Sequence, residues 1–544
     1  MGRIGKICGM LRSSVYVFGY YRLPLRNRKL LVRGGEKGLR CALEMATAKY
    51  LVVHGALPSW YTKRDGQVIV RVAGEPVKCS YDMGNVQRSY LCADAIICRD
   101  AAMRDAIADA YDLDGLYRGR WLMGEDTEKR CESALRGEAG EPAPQSDREN
   151  ILIFVNGLRK NGQTTSLNNL FAQLDLSRRN YCVAFDSKSL SDDPSRLDML
   201  PEGVKLLPMP YMRQESLGEK LAVQLYLKKN CTRLWVMKRV ERYYDRLYRR
   251  SFGCCRFDWV IDHNGYDKNV LNMLPMIPSK RAVFVHNDMI SEMATRHIQH
   301  RPTLERVYRA CERVVPVTED IVEPTAKLSG RRDNIFVVNN CHDWQGVLRR
   351  GEEPVCFDPD TASNVPEAEL MRMLEGDSIK IITIGRYSPE KGHAQLLEAF
   401  ERFHREVPNS CLIIIGGHGV LYGETLRRAS ELECRDSVAL IRSMKNPMPI
   451  LKRCDLFALS SLYEGLGLVL LEADALGVPV ISTDITGPRG FLRAHGGTLV
   501  PPNAEGLYQG MRDFAAGRIK PMNVDYAKYN RQAVAQFEAM LEDK

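Results

Sequence analysis

The sequence predicts an α/β protein built from doubly wound, Rossmann-like domains, and three observations carry that expectation. Short apolar runs ending in Gly, Asn or Asp alternate with helical patterns along most of the chain. In the last third these runs are apolar throughout, as strands covered on both faces require. Glycines and charged side chains gather just after the strands, where open α/β sheets bind ligands. The architecture expected is two Rossmann-like domains facing a cleft, with an extra N-terminal α/β domain before them.

The elements follow in order. Residues 1–135 form a first block, with strand-like runs KYLVVHG (49–55), QVIVRVAG (67–74) and DAIICRD (94–100). Residues 136–149, rich in Gly, Pro and acids, read as a linker. Residues 150–348 form a second block, opening on NILIFVNG (150–157). It continues through YCVAFDS (181–187), VKLLPMP (204–210), DWVIDHN (258–264), RAVFVHND (281–288), RVVPVT (313–318) and NIFVVNN (334–340). The Pro-rich, acidic stretch 349–377 reads as a hinge. Residues 378–544 form a third block with five buried strands: IKIITIGR (379–386), CLIIIGG (411–417), VALIR (438–442), DLFALSS (455–461) and PVISTD (479–484).

Composition narrows the class. Of the 544 residues 44% are hydrophobic, enough for large cores, and the net charge of +9 is mild for this length. Sixteen cysteines without a C-x-x-C pair or a Cys/His ligand spacing suggest reduced thiols in a reducing compartment and no structural zinc. No apolar stretch of 18 residues and no secretory h-region is evident, so a cytoplasmic protein is expected.

Two βα loops of the third block can carry chemistry. GRYSPEKG (385–392) puts Arg386 and Lys391 at a strand end, where a planar fork and a point charge can clamp a diphosphate or simply face solvent. YEGLGLVLLEA (463–473) follows the next strand but two. Gly465 and Gly467 permit close backbone approach, and a helix starting near Leu468 offers free N–H groups to phosphate oxygens. Glu464 lies in the loop, and Glu472 one turn inside the helix among apolar neighbours. A carboxylate there can take both hydroxyls of a ribose, or can be a favourable acid on the helix dipole.

Together with GVPVISTDITGPRG (477–490), these segments resemble the donor site of family-4 retaining glycosyltransferases, which have the GT-B fold. The resemblance covers about residues 150–515 and is strongest in the C-terminal third. It implies that Glu472 binds the donor ribose and that Glu464 lies by the donor sugar. It also implies that Arg386, Lys391 and the N–H groups near Leu468 and Val469 bind the diphosphate. His286, in VFVHND, matches a histidine near the donor sugar and acceptor. Gly162, in RKNGQTTSL (159–167), stands in a loop that approaches the phosphates, with Asn161 where a second glycine belongs. Asn340 matches a structural asparagine. Such a site needs no cofactor beyond its nucleotide-sugar substrate. With no D-x-D-like motif evident near the donor loops, the cationic clamp is expected to replace a divalent metal.

The first block resembles the N-terminal half of CDP-glycerol glycerophosphotransferases, the teichoic-acid polymerases. VAGEPVK (72–78) keeps Gly74, Pro76 and Lys78 but has Ala73 where that family has a histidine, which implies a degenerate domain for docking or acceptor contact, or a spare Rossmann-like domain that only packs. Residues 1–33 carry eight cations and no acids, and residues 227–256 carry ten against Glu241 and Asp245. In the second stretch Leu234, Met237, Val240, Tyr244 and Leu247 recur at helical spacing. Such stretches suit an anionic membrane surface, a polyanionic acceptor such as teichoic acid, or a solvated helix face, and fit nucleic acid poorly. The expected function is retaining transfer of a sugar from a nucleoside-diphosphate sugar to a polymeric or lipid-linked cell-envelope acceptor, on the inner face of the membrane. The alternatives are glycerol-phosphate transfer and a noncatalytic glycan-binding scaffold.

Overall fold

A computed structural model describes residues 3–33, 38–76, 83–138, 140–155, 157–158, 161–187, 194–210, 215–296, 299–417 and 419–542. Lys78 of the glycerophosphotransferase-like motif, and Arg159 and Lys160 of the loop before Gly162, lie outside them. The chain divides into two compact units, one of Met1–Phe284 with His300–Arg313 and the other of Val285–Gln299 with Val314–Lys544.

The first unit holds two sheets. In the N-terminal sheet the strands Arg26–Val32, Ala48–His54, Val68–Val72, Ala95–Cys98, Arg120–Met123 and Glu141–Pro142 lie in plain sequence order. All neighbours are parallel except the last pair. A sheet wound in one direction has no point at which the strand order reverses, and so lacks the crevice in which such folds bind nucleotides. The stretch expected as a linker supplies its last strand. Within the unit the second sheet runs Lys280–Val285, Trp259–Asp262, Asn150–Phe154, Asn180–Asp186, Lys205–Met209, all parallel. In chain order this is 5-4-1-2-3, with a switch point between Asn150–Phe154 and Trp259–Asp262. The two sheets are joined through the helix Met83–Leu91. A Cβ on Gly84 would stand 2.4 Å from the Pro208 carbonyl, and Gln87 Nε2 donates to Leu206 O at 2.7 Å. The N-terminal sheet therefore shields the edge strand of the second.

The helices Leu217–Lys229 and Leu234–Phe252 turn only part of the basic stretch outward. Val240 and Tyr244 are buried as the periodicity predicts, but Leu234 is 70% exposed, while Arg246 and Arg250 are buried. Arg246 forks onto Glu219 at 2.6 and 2.8 Å, the planar bidentate geometry that makes a buried guanidinium tolerable.

The second unit contains the third sheet, ordered Ala362–Ser363, Val438–Arg442, Ser410–Gly416, Ile379–Ile384, Leu456–Leu459, Val480–Thr483, Thr498–Val500. After the antiparallel edge strand, the six parallel strands read 3-2-1-4-5-6 in chain order, the order of dinucleotide-binding sheets. Alternate residues feed two cores. Ile382, Ile413, Ala439 and Phe457 face one side, and Ile381, Leu412, Leu440 and Leu456 the other. Burial on both faces explains the unbroken apolar runs.

Two expectations change here. The run 334–340 is not a strand; it makes one isolated bridge, Val314 to Ile335. The hinge stretch carries the edge strand Ala362–Ser363 and the helix Glu367–Glu375, whose Leu370 and Leu374 enter a core. Pro-rich sequence is compatible with an edge strand because its missing N–H groups are not needed there.

Candidate functional site

The switch point of the third sheet lies between Ile379–Ile384 and Leu456–Leu459, and the two chemistry-bearing loops follow those two strands. The first loop is pinned by Tyr387, whose buried hydroxyl lies 2.9 and 3.0 Å from the Ile414 and Ile441 carbonyls. It ends in the short turn Pro389–Lys391 and in Gly392 at φ 63°, where a Cβ would stand 2.1 Å from the Ser460 carbonyl. Ser460 Oγ donates to Lys391 O at 2.8 Å, and Leu462 N to Glu390 O at 2.8 Å. The two loops are thus stitched side by side.

This brings Lys391 and Glu464 together. Lys391 Nζ donates to both carboxylate oxygens, at 2.9 and 3.1 Å. Arg386 is 57% exposed and points its fork at Glu390, which is 4% exposed, at 3.0 Å. Arg296 approaches Glu390 and Glu292 at 3.8 Å each. Burial pushes the Glu390 carboxyl up, but hydrogen bonds from its own amide and Ser388, and the Arg386 and Arg296 charges, outweigh that and hold it below the usual carboxylate range. Glu390, Glu292 and Arg296 were not singled out in the sequence. Only the acid inside SPEKG hinted at one of them, because the others reach the loop through the tertiary fold.

Gly465 and Gly467 do different work. A Cβ on Gly465 would stand 1.9 Å from the His286 carbonyl, and one on Gly487 1.6 Å from the Gly465 carbonyl. His286, just beyond the strand Lys280–Val285, therefore meets this loop through its backbone. Gly467 sits at φ 78° as the N-cap of the helix Leu468–Ala475 and brings no side chain to cap it. The N–H groups of Leu468 and Val469 are left to the positive end of the helix dipole. Gly162 differs. It opens the helix Gly162–Phe171 in the first unit, where Asn161 already accepts from Gln163 N and Thr164 N at 3.0 Å. Among the described residues nothing lies within 4 Å of a Cβ on Gly162.

Glu472 and Asp474, two residues apart, contrast sharply. Asp474 accepts from Asn523 N at 2.9 Å, Val524 N at 3.1 Å and Tyr526 Oη at 2.9 Å, and so ties down the C-terminal helix Tyr526–Leu541. The Glu472 carboxylate makes no hydrogen bond among the described residues, while its carbonyl accepts from Leu476 N at 3.2 Å. Burial raises its pKa, opposed by the Arg350 charge and assisted by Asp343. A part-buried carboxylate whose oxygens have no hydrogen bond among the described residues is one that a ligand's hydroxyls can satisfy. Asn340 is buried in a segment locked to the C-terminal helix, where His342 N donates to Asn530 Oδ1 and Asn530 Nδ2 to His342 O, both at 2.8 Å.

A further group lies at the switch point of the second sheet, and the sequence reading missed it. Asp262 is fully buried; its Oδ1 accepts from Asn264 N and Gly265 N at 3.0 Å, and its Oδ2 has no partner among the described residues. Burial pushes its pKa up to about 7. The folded state thus holds a proton that the unfolded chain releases near 3.8, and the stability tied to it is present below that pH and lost as pH rises through about 7. Thermal unfolding between pH 4 and 8 should show a decline on the order of 4 kcal/mol that Asp262→Asn removes.

Comparison with known proteins bears on this site. Residues 372–533 match the family model described as glycosyl transferases group 1. An uncharacterized glycosyltransferase of Methanocaldococcus jannaschii is 40% identical over 131 residues, 24% of this chain and 32% of the relative. A GDP-mannose-dependent α-(1-6)-phosphatidylinositol monomannoside mannosyltransferase of Mycolicibacterium smegmatis is 35% identical over 162 residues, 27% of this chain and 42% of the relative. The lipopolysaccharide core biosynthesis glycosyltransferase LpsE of Rhizobium meliloti is 31% identical over 217 residues, 40% of this chain and 57% of the relative. The chain thus spans between a third and three fifths of these relatives' lengths. Among solved structures, the trehalose-6-phosphate synthase OtsA superposes with a TM-score of 0.51 at 12% identity, over 73% of this chain and 99% of its own. Staphylococcus aureus TarM superposes with a TM-score of 0.50 at 13% identity, over 73% and 100%. These likenesses show the GT-B fold, to which this chain adds the N-terminal sheet.

Proposed function

We propose that the protein is a retaining glycosyltransferase that moves a sugar from a nucleoside-diphosphate sugar to a cell-envelope acceptor. One observation carries the reading. At the switch point of the third sheet, Lys391 holds Glu464 and Arg386 holds Glu390 in the loops before an uncapped helix start at Leu468, inside the segment that matches the group 1 family. Arg386, Lys391 and the N–H groups of Leu468 and Val469 would stabilise the leaving diphosphate. Glu472 would take the ribose hydroxyls, and Glu464, fixed by Lys391, would face the sugar. His286 would complete the sugar side. The cationic clamp would neutralise the diphosphate without a divalent ion, so full transfer in EDTA is expected. Named relatives act on phosphatidylinositol mannoside and in lipopolysaccharide core biosynthesis, and we read the acceptor as an envelope glycolipid or a teichoic-acid-like polymer on the cytoplasmic side.

The N-terminal sheet fits a docking role better than glycerol-phosphate transfer. Its strand order has no switch point, and Ala73 leaves its motif without a base.

A thermal-shift screen of nucleoside diphosphates and nucleotide sugars tests the proposal. One nucleotide series should stand out, since stabilisation follows RT ln(1 + [L]/Kd). NMR of the product should then give the donor's anomeric configuration. No shift with any nucleotide would refute donor binding, and an inverted product would refute retention. Glu390 is expected to act through Arg386. Glu390→Gln should weaken nucleotide binding about five-fold, roughly 1 kcal/mol, and add nothing to Arg386→Ala in a double-mutant cycle; additive losses would mean separate roles.

A further inference from the structure

Three helices of the first unit carry a surface that the transfer reading does not use. They are Arg3–Arg22, Leu217–Lys229 and Leu234–Phe252. Of the eleven large hydrophobic side chains exposed among the described residues, six belong to them: Leu11, Phe18, Leu217, Leu221, Leu234 and Trp235. That share is too high for single scattered residues. Spacing lines them up, since Leu11 and Phe18 are seven apart on one helix, and Leu217 and Leu221 four apart on the next. Contacts set the helices edge to edge. Leu217 N donates to Ser14 Oγ at 3.2 Å, and Lys220 Nζ reaches Met10 Sδ at 3.5 Å. A Cβ on Gly218 would stand 3.8 Å from Arg239 Nε, and Arg239 itself lies over the Trp235 ring at 5.4 Å.

The same helices expose Arg22, Lys228, Lys229, Lys238, Arg239 and Arg242. Their acids are engaged: Glu219 is buried under Arg246, Asp245 pairs with Arg249 at 3.1 Å, and Glu241 approaches Arg306 at 3.8 Å. Apolar tips and unopposed cations thus share one surface, and no helix among the described residues is long and apolar enough to cross a membrane. We propose that this three-helix surface docks the protein on an anionic bilayer, with Leu, Phe and Trp entering the headgroup region and the cations meeting lipid phosphates. A dissolved polyanion would attract the cations, but burying six apolar side chains needs an interface with an apolar side.

The full chain should co-sediment with vesicles of equimolar phosphatidylcholine and phosphatidylglycerol, about ten-fold more than with phosphatidylcholine alone, and should release as salt rises. Acyl-chain-brominated lipid should quench tryptophan fluorescence, and Trp235→Phe should abolish that quenching, because Trp60, Trp121 and Trp259 are buried and the part-buried Trp344 packs against a core of the second unit. The pair Leu234→Ser with Trp235→Ser, and separately Lys228→Glu with Lys238→Glu, should each lower vesicle binding about ten-fold at unchanged thermal midpoint and unchanged nucleotide shift. Either pair suffices should the other disturb the fold. Failure to bind anionic vesicles would overturn the proposal. So would vesicle binding indifferent to Leu234 and Trp235, or equally tight binding to soluble polyphosphate, which would assign the surface to a polyanionic polymer. None of these outcomes bears on donor chemistry.

Discussion

Glu472→Gln is expected to weaken nucleotide-sugar binding about a hundred-fold while leaving the ligand-free protein at least as stable as the parent. The two effects have one cause. The carboxylate is part-buried without a hydrogen bond among the described residues, and burial raises its pKa against the opposing Arg350 charge. Its charged form therefore costs stability wherever the unfolded chain is ionised and the folded one resists ionisation. That cost is absent below the ordinary carboxylate pKa of 4.5 and grows as pH rises through the higher folded value. Glutamine removes it, so the thermal midpoint of the variant should match the parent in acid and exceed it at neutral pH. The donor reverses the balance, because two hydroxyls on a carboxylate contribute roughly 1.5–3 kcal/mol each and an amide recovers only part of that. Titration calorimetry with the best nucleotide from the thermal-shift screen reads the loss. Unchanged affinity in Glu472→Gln would exclude Glu472 from the donor site. A large drop in stability would make it a structural residue like Asp474, whose three hydrogen bonds hold the C-terminal helix.

Gly465→Ala is the second substitution expected to have a large effect. The added methyl would stand 1.9 Å from the His286 carbonyl, and the Gly465 carbonyl already faces Gly487 at a distance that admits no side chain. Neither neighbour is a flexible side-chain end, so the backbone has to move. Displacing this loop by about 1 Å shifts Glu464 and the helix start together, and misplacement of that size is enough to lower transfer about a hundred-fold. Loss of stability of about 3 kcal/mol is expected with it. Gly423→Ala in the same unit is the control. Gly423 lies in the helix Tyr422–Ser430 with nothing among the described residues within 4 Å of a Cβ, so alanine there should be neutral or raise stability by about 1 kcal/mol. Kinetics and thermal unfolding of the two variants side by side separate a loop-specific effect from a general cost of alanine. Equal behaviour would mean that the Gly465 contact yields without consequence.

Much of the molecule was legible in residue order. A parallel strand buried on both faces has to be apolar at every position, so the five strands of the third block stand out without any contact being known. Loops after such strands carry the ligand groups, which put Arg386, Lys391, Glu464 and Glu472 on the page together. The N-terminal strands Arg26–Val32 and Arg120–Met123 were missed because Arg, Lys and Asn interrupt one and the other is only four residues long. The run 334–340 has strand composition but forms a single isolated bridge, although Phe336 N and Val338 N donate to the Val314 and Pro316 carbonyls beside it.

What residue order could not decide is which side chains share a neighbour. Local periodicity speaks for residues a few positions apart. Lys391 on Glu464 spans 73 positions, and Arg296 on Glu390 needs a helix from a separate stretch of the unit. The same limit holds for the cations of residues 227–256. Charge alone does not say which of the ten turn inward, whereas the fold buried Arg250 and turned Arg246 in to Glu219, because a guanidinium with a matched fork survives burial. Strand identity and loop chemistry are local and repeat at fixed periods, so the sequence sufficed for them. Pairing, burial and strand order depend on chain closure over long separations, and only the packed sheets select among the alternatives.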